Sequence, residues 1–163
     1  YRRLSYMPEP KKKRFSLTDS LHNLGLLLQS DFENAHIHFI LRSTPSDIYI
    51  EGDEKQLSQV FLNLLKNSMQ SLEGKTDGQI EVTLEVTDKL YIKLLDNGQG
   101  IPMELQEKIF VPFFTTKTEG TGIGLSLCRQ IIKRHGGNFY LQESRQGKTI
   151  FVIEWPVASF ILK

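Results

Sequence analysis

The segment DEKQLSQVFLNLLKNSMQSLEG, residues 53–74, constrains the fold more than any other. Leu57, Val60, Phe61, Leu64, Leu65 and Leu72 recur at helical spacing and give one broad apolar face. A helix so patterned must be laid against a second apolar surface. The next stretch, GQIEVTLEVTDKLYIKLLD, supplies one, because its residues alternate with a period of two and read as two strands about a short turn.

The remaining segments extend this layer plan. Leu17, Leu21, Leu24 and Leu28 in SLTDSLHNLGLLLQSDF predict an earlier helix, with Ser16 and Asp19 placed to cap it. HIHFILR and DIYIEG read as strands joined by a turn at Pro45. A short helical stretch near 102–109 and an irregular segment, FVPFFTTKTEGTG, lead to a helix from about Ile123 to His135, stopped by Gly136-Gly137. NFYLQES and KTIFVIEWP form a last strand pair. The expected fold is an α/β two-layer sandwich: a mixed, mostly antiparallel sheet with helices packed on one face. Residues 1–15, with two prolines and the run Lys11–Arg14, read as a linker, 16–157 as one domain and 158–163 as a tail.

Composition narrows the class. Twenty Lys plus Arg balance nineteen Asp plus Glu, which argues against a nucleic-acid partner. The one cysteine, Cys128, excludes an intrachain disulfide framework and fits a reducing, cytoplasmic setting. No apolar run approaches the ~18 residues of a membrane span, so an anchor would lie elsewhere in a longer protein.

Three groups of residues carry chemistry. The first is DNGQGIP, 96–102, at the end of a strand. A hairpin turn there needs a second strand at once, but MELQEKIF follows and is helical in composition. The alternative is a backbone bent at Gly98 and Gly100 so that something approaches it closely, with the Asp96 carboxylate at the opening. The second is Gly120-Thr121-Gly122-Ile123-Gly124-Leu125, which runs into a helix whose N-terminus suits an anion, although it matches neither a P-loop nor a dinucleotide fingerprint. The third is Asn63 and Asn67, one helical turn apart on the border of the apolar face. Asn disfavours helix interiors. The pair reads either as residues that are solvated or cap a neighbouring turn, or as amide oxygens offered to a hard cation such as Mg²⁺.

Together these residues resemble the GHKL ATP-binding family, which has the Bergerat fold, and within it the catalytic domain of bacterial sensor histidine kinases. QVFLNLLKNSMQSL looks like the family's N box, DNGQGIP its first glycine box, IFVPFFTTK its F box and GTGIGLSLCRQII its second glycine box. The likeness runs from about Ser16 to Pro156, and RRLSYMPEP further resembles the interdomain segment of the nitrogen-regulation subgroup. The resemblance implies that Asn67 coordinates Mg²⁺ with the ATP phosphates and that Asn63 supports it. It implies that Asp96 accepts from the adenine amine, that Gly98 and Gly100 admit the base, and that Ile101, Phe110 and Leu125 form apolar walls with Thr149 as a polar contact. Gly120, Thr121, Gly122 and Gly124 would face the phosphates, with Lys66 and Lys117 as further phosphate partners. The segment VPFFTTKTEGTG would be a lid over the nucleotide.

One departure discriminates within the family. Members that hydrolyse ATP resemble one another in placing Glu one turn before the metal-binding Asn, as general base for water. Here that position is Asn63, which cannot serve as one near neutral pH. Asn63 therefore favours a protein histidine kinase over a GHKL ATPase, and the PFFTTK segment favours it over an anti-sigma-factor-type Ser kinase; a non-catalytic nucleotide-binding module stays open as a third reading. None of His22, His36, His38 and His135 sits in the acidic helical setting of a phosphoacceptor, and structural roles are expected for all four. The acceptor His is then expected on a separate dimerisation domain of a homodimeric protein, with a response regulator as the further partner.

Overall fold

A computed structural model describes residues 7–112, 124–156 and 160–162. Among them the order is β1 (Lys13–Ser16), α1 (Leu17–Leu27), α2 (Gln29–Asn34), β2 (Ile37–Thr44), β3 (Ile48–Gly52), α3 (Glu54–Ser71), β4 (Gly78–Val86), β5 (Leu90–Asp96), α4 (Met103–Gln106), α5 (Leu125–Arg134), β6 (Asn138–Arg145), β7 (Lys148–Trp155) and β8 (Phe160–Leu162). The main sheet has the strand order β2-β4-β5-β7-β6. Only β2 and β4 run parallel; the other neighbours are antiparallel. This is the expected mixed, mostly antiparallel layer.

The helix over 53–74 forms as its pattern predicts. Asp53 caps α3, its carboxylate accepting from the Gln56 N–H at 3.1 Å. All six apolar positions named from its spacing are buried. They face a stripe from β4 (Ile80, Val82, Leu84) and β5 (Leu90, Ile92, Leu94), joined on β7 by Phe151, Ile153 and Trp155. Each such side chain, fully buried, contributes about 1.5–3 kcal/mol. The helix–sheet layer therefore holds the domain together.

Some expectations hold and others need correction. HIHFILR and DIYIEG are strands on either side of Pro45, as expected, with β2 in the main sheet and β3 in the middle of a separate antiparallel sheet, β1-β3-β8. Residues 13–15 and 160–162, assigned to a linker and a tail, supply its outer strands. A three- or four-residue strand has too few alternating positions to announce itself, and only its partner decides it. The first helix also divides at Leu28, so that α2 can bring Phe32 onto Phe39 of β2, rings stacked 4.9 Å apart.

α5 ends as expected. Gly136, at φ +79°, follows the helix, with the Gly136 N–H bonded to the Lys133 carbonyl and the Gly137 N–H to the Ile132 carbonyl. His135 locks this end in place. Its Nε2 accepts from the Asp53 N–H at 3.0 Å, Nδ1 lies 2.8 Å from the Ile131 carbonyl, and its own carbonyl accepts from the Trp155 indole. Burial pushes its pKa down, and nearby Lys12 acts the same way. The structural role expected for His135 is what the fold shows.

Candidate functional site

Period-two alternation carries Asp96 to the same face of β5 as Ile92 and Leu94, so its carboxylate enters the apolar layer under α3. It is 4% exposed. One oxygen accepts from the Gly98 N–H at 2.9 Å, and the Ser68 hydroxyl of α3 also bonds to it. Burial raises its pKa, partly offset by these two donors. A carboxylate offers about four acceptor sites, so this one retains capacity for a further donor. Thr149 stands directly across the β5–β7 ladder from Asp96 and is also buried. Its Oγ1 lies 2.7 Å from the Ser144 hydroxyl, which accepts from the Ile101 N–H.

The DNGQGIP loop is bent around protein neighbours. A Cβ on Gly98 would collide with the Ser71 hydroxyl and carbonyl, and one on Gly100 with the Arg145 carbonyl. Gly100 also sits at φ +80°, a conformation that favours glycine. The Gln99 N–H donates to the Ser71 carbonyl at 3.3 Å, and the Gly147 N–H to the Gly98 carbonyl at 2.7 Å. The two glycines are thus required by α3 and by the β6–β7 turn, and the close approach foreseen in the sequence is met from within the chain. Asn97 turns away, closing the start of β4 through its bonds to the Gln79 N–H and the Asp77 carbonyl.

The amide pair lies along α3 where it meets α5. Asn63 Nδ2 donates to Cys128 Sγ at 3.5 Å, and Asn67, one turn on, is half-buried. Lys66 is exposed. Gly124 precedes α5 in an extended conformation with no side chain to cap the helix, and Leu125 is half-buried behind it. Phe110 is half-buried. Its ring lies edge-on to Phe139, centroids 5.3 Å apart, and under the Arg129 guanidinium at 3.9 Å, so both contacts are internal. Ile101 is half-buried and packs on the core. Lys117, Gly120, Thr121, Gly122 and most of the lid segment lie outside the described residues.

Sequence reading missed Ser68, Ser144 and Arg129. Ser68 had a signal: it continues the Leu64–Leu72 row at i+4, a polar residue inside an apolar stripe. Ser144 and Arg129 had none, since their contacts to Ile101 and Phe110 come from elements that only the fold brings together.

Residues 52–159 match the family model described as "Histidine kinase-, DNA gyrase B-, and HSP90-like ATPase". The chain belongs to this family. Sporulation kinase A of Bacillus subtilis is 35% identical over 146 residues, covering 89% of this chain and 24% of the kinase. The sensory histidine kinase/phosphatase NtrB of Rhodobacter capsulatus is 35% identical over 136 residues, 76% of this chain and 38% of NtrB. The chain therefore spans a quarter to two-fifths of these relatives. Among solved structures, the nucleotide-free catalytic domain of histidine kinase ThkA has a TM-score of 0.80 and 34% identity, covering 90% of this chain and 95% of that domain. ThkA has also been solved in complex with a response regulator protein, TrrA. The fold is thus that of a histidine kinase catalytic domain, and the likeness includes the nitrogen-regulation kinases foreseen from the linker and motifs.

Proposed function

We propose that this domain binds Mg·ATP in the space between α3, the β5 terminus and α5, and donates the γ-phosphoryl group to a His on a dimerisation domain. The observation that carries the reading is Asp96, a buried carboxylate with acceptor capacity to spare at the end of a central strand. The adenine exocyclic amine is the donor it fits. Thr149, opposite it on β7, is placed to complete recognition of the base edge.

The metal end is consistent with the same reading. Among the described residues no cluster of three or more His, Cys, Asp or Glu could hold a metal. A cation beside Asn63 and Asn67 would have to take most of its ligands from phosphate oxygens and water, the usual arrangement for Mg²⁺ with nucleotides. When bound, Mg²⁺ neutralises charge developing on the transferred group. The chain's part is positioning and electrostatics. Asn67 and Asn63 offer amide oxygens, Gly124 at the α5 N-terminus favours the negative charge of the phosphates, and Lys66, exposed on α3, adds a cation; Lys117 is the further phosphate partner that the family resemblance implies. Asn63 supplies no base to activate water, which favours transfer to a protein over hydrolysis.

The partners follow from this reading: a dimerisation domain bearing the acceptor His, in a homodimeric protein, and a response regulator. Among the described residues no helix is long and apolar enough to cross a membrane. The test is direct. The chain alone should bind ATP without labelling itself, and adding its dimerisation domain should yield acid-labile phosphate on that domain. Stoichiometric labelling of a His on this chain alone would overturn the proposal.

A further inference from the structure

We propose that Cys128 is a positioning residue, which sets the amide of Asn63 so that its oxygen and not its nitrogen faces the metal side of the cleft. The inference rests on the nucleotide site proposed above and deepens it. An Asn amide carries its oxygen and nitrogen on opposite sides of one carbon, and a hard cation accepts only the oxygen. If the nitrogen faced the cleft, its N–H groups would repel the cation.

Cys128 makes the choice from α5. Its sulfur is 3.5 Å from Asn63 Nδ2 and takes that N–H as acceptor, which turns Oδ1 away from Cys128. Cys128 is fully buried and Asn63 half-buried. A thiol sulfur is a weak acceptor. It can orient the amide without adding a charge that would compete for the cation.

The contact also joins the two helices of the site, since α3 carries both asparagines and α5, Leu125–Arg134, carries Cys128. The orientation of Asn63 thus depends on α5 being seated. A packing role alone would make any residue of similar volume sufficient at 128. The positioning role requires an acceptor there.

The test compares wild type with Cys128→Val, which keeps the bulk but has no acceptor, Cys128→Ala, which removes both, and Cys128→Ser, which keeps an acceptor. ATP affinity is measured by calorimetry with Mg²⁺ and with EDTA, and the Asn63 side-chain amide is followed by ¹H–¹⁵N NMR without nucleotide. In the Val and Ala variants the Mg²⁺-dependent gain in affinity should fall about fivefold, the scale of one net hydrogen bond. Affinity in EDTA should hold, and the Asn63 amide signals should shift. Cys128→Ser should retain the gain. The proposal is overturned if Val and Ala keep the full Mg²⁺ gain, or if Ser loses it as they do. No Mg²⁺ gain in wild type would remove the site reading, and this inference with it; an equal gain in wild type and the Val variant removes this inference alone.

Discussion

The two ends of the proposed cleft are built differently. At the Asp96 end, every element is tied to another by short hydrogen bonds: Gly98 to Asp96, Ser68 to Asp96, Ile101 to Ser144, Ser144 to Thr149, Gly147 to Gly98. At the amide end, Asn63 Nδ2 donates to Cys128 Sγ at 3.5 Å between α3 and α5, and the adjoining sequence holds glycines and threonines. The first arrangement suits recognition of a rigid planar base, whose partners must be in place beforehand. The second suits a flexible triphosphate and its cation, which must be gripped and then released.

Breaking the rigid end should have the largest effect. Gly100→Ala puts a side chain onto the Arg145 backbone at a φ of +80°. Strain and overpacking of this kind cost about 1–3 kcal/mol each. Thermal or urea unfolding should show a loss of that order, with ATP binding lost in parallel. An unchanged melting temperature would mean that the loop is not pinned as described.

A subtler change at the same end sharpens the comparison. Guanine presents a carbonyl where adenine has an amine, leaving it acceptor-to-acceptor against Asp96. An unmet buried acceptor costs about 1–3 kcal/mol, so ATP should be preferred over GTP by about tenfold or more. Asp96→Asn can turn an N–H to guanine, and the preference should shrink in a competition titration. An unchanged ratio with normal ATP binding would show that Asp96 serves the loop alone.

At the looser end, Asn67→Ala should remove the Mg²⁺-dependent part of ATP affinity and leave the metal-free part in place. Titrations with Mg²⁺ and with EDTA measure both. Equal Mg²⁺ enhancement in the two proteins would exclude Asn67 as the ligand.

The smallest effect concerns how α5 is held at its far end. His135 is neutral in the fold, with a pKa below the ordinary 6.5 because of burial. The unfolded chain therefore takes up its proton first, and stability should fall as pH drops through 6.5 toward the folded value. Asp96, whose pKa is raised by burial, acts in the opposite sense at more acidic pH. Melting temperatures between pH 7.5 and 5.5 should decline in wild type, and the decline should flatten in His135→Ala.

Much of this was legible from residue order. Local periodicity identified α3, its six core positions and the β4–β5 pair, and alternation alone aimed Asp96 into the helix-facing layer. The pairing of Asn63 with Asn67 follows from 3.6 residues per turn, and the Ser16 and Gly136 signals at helix ends were realised. These are short-range properties, set by backbone geometry and the need to bury an apolar face. Only the tertiary structure decided the rest. That β2 and β3 part into different sheets, that 13–16 and 160–162 are strands, and that Gly98 and Gly100 yield to Ser71 and Arg145 all depend on segments brought together from far along the chain. So does the link from Asn63 to Cys128, residues 65 positions apart. Periodicity says which face of an element is apolar; it carries no information about which distant element will cover it, because that is settled by collective packing of the whole core.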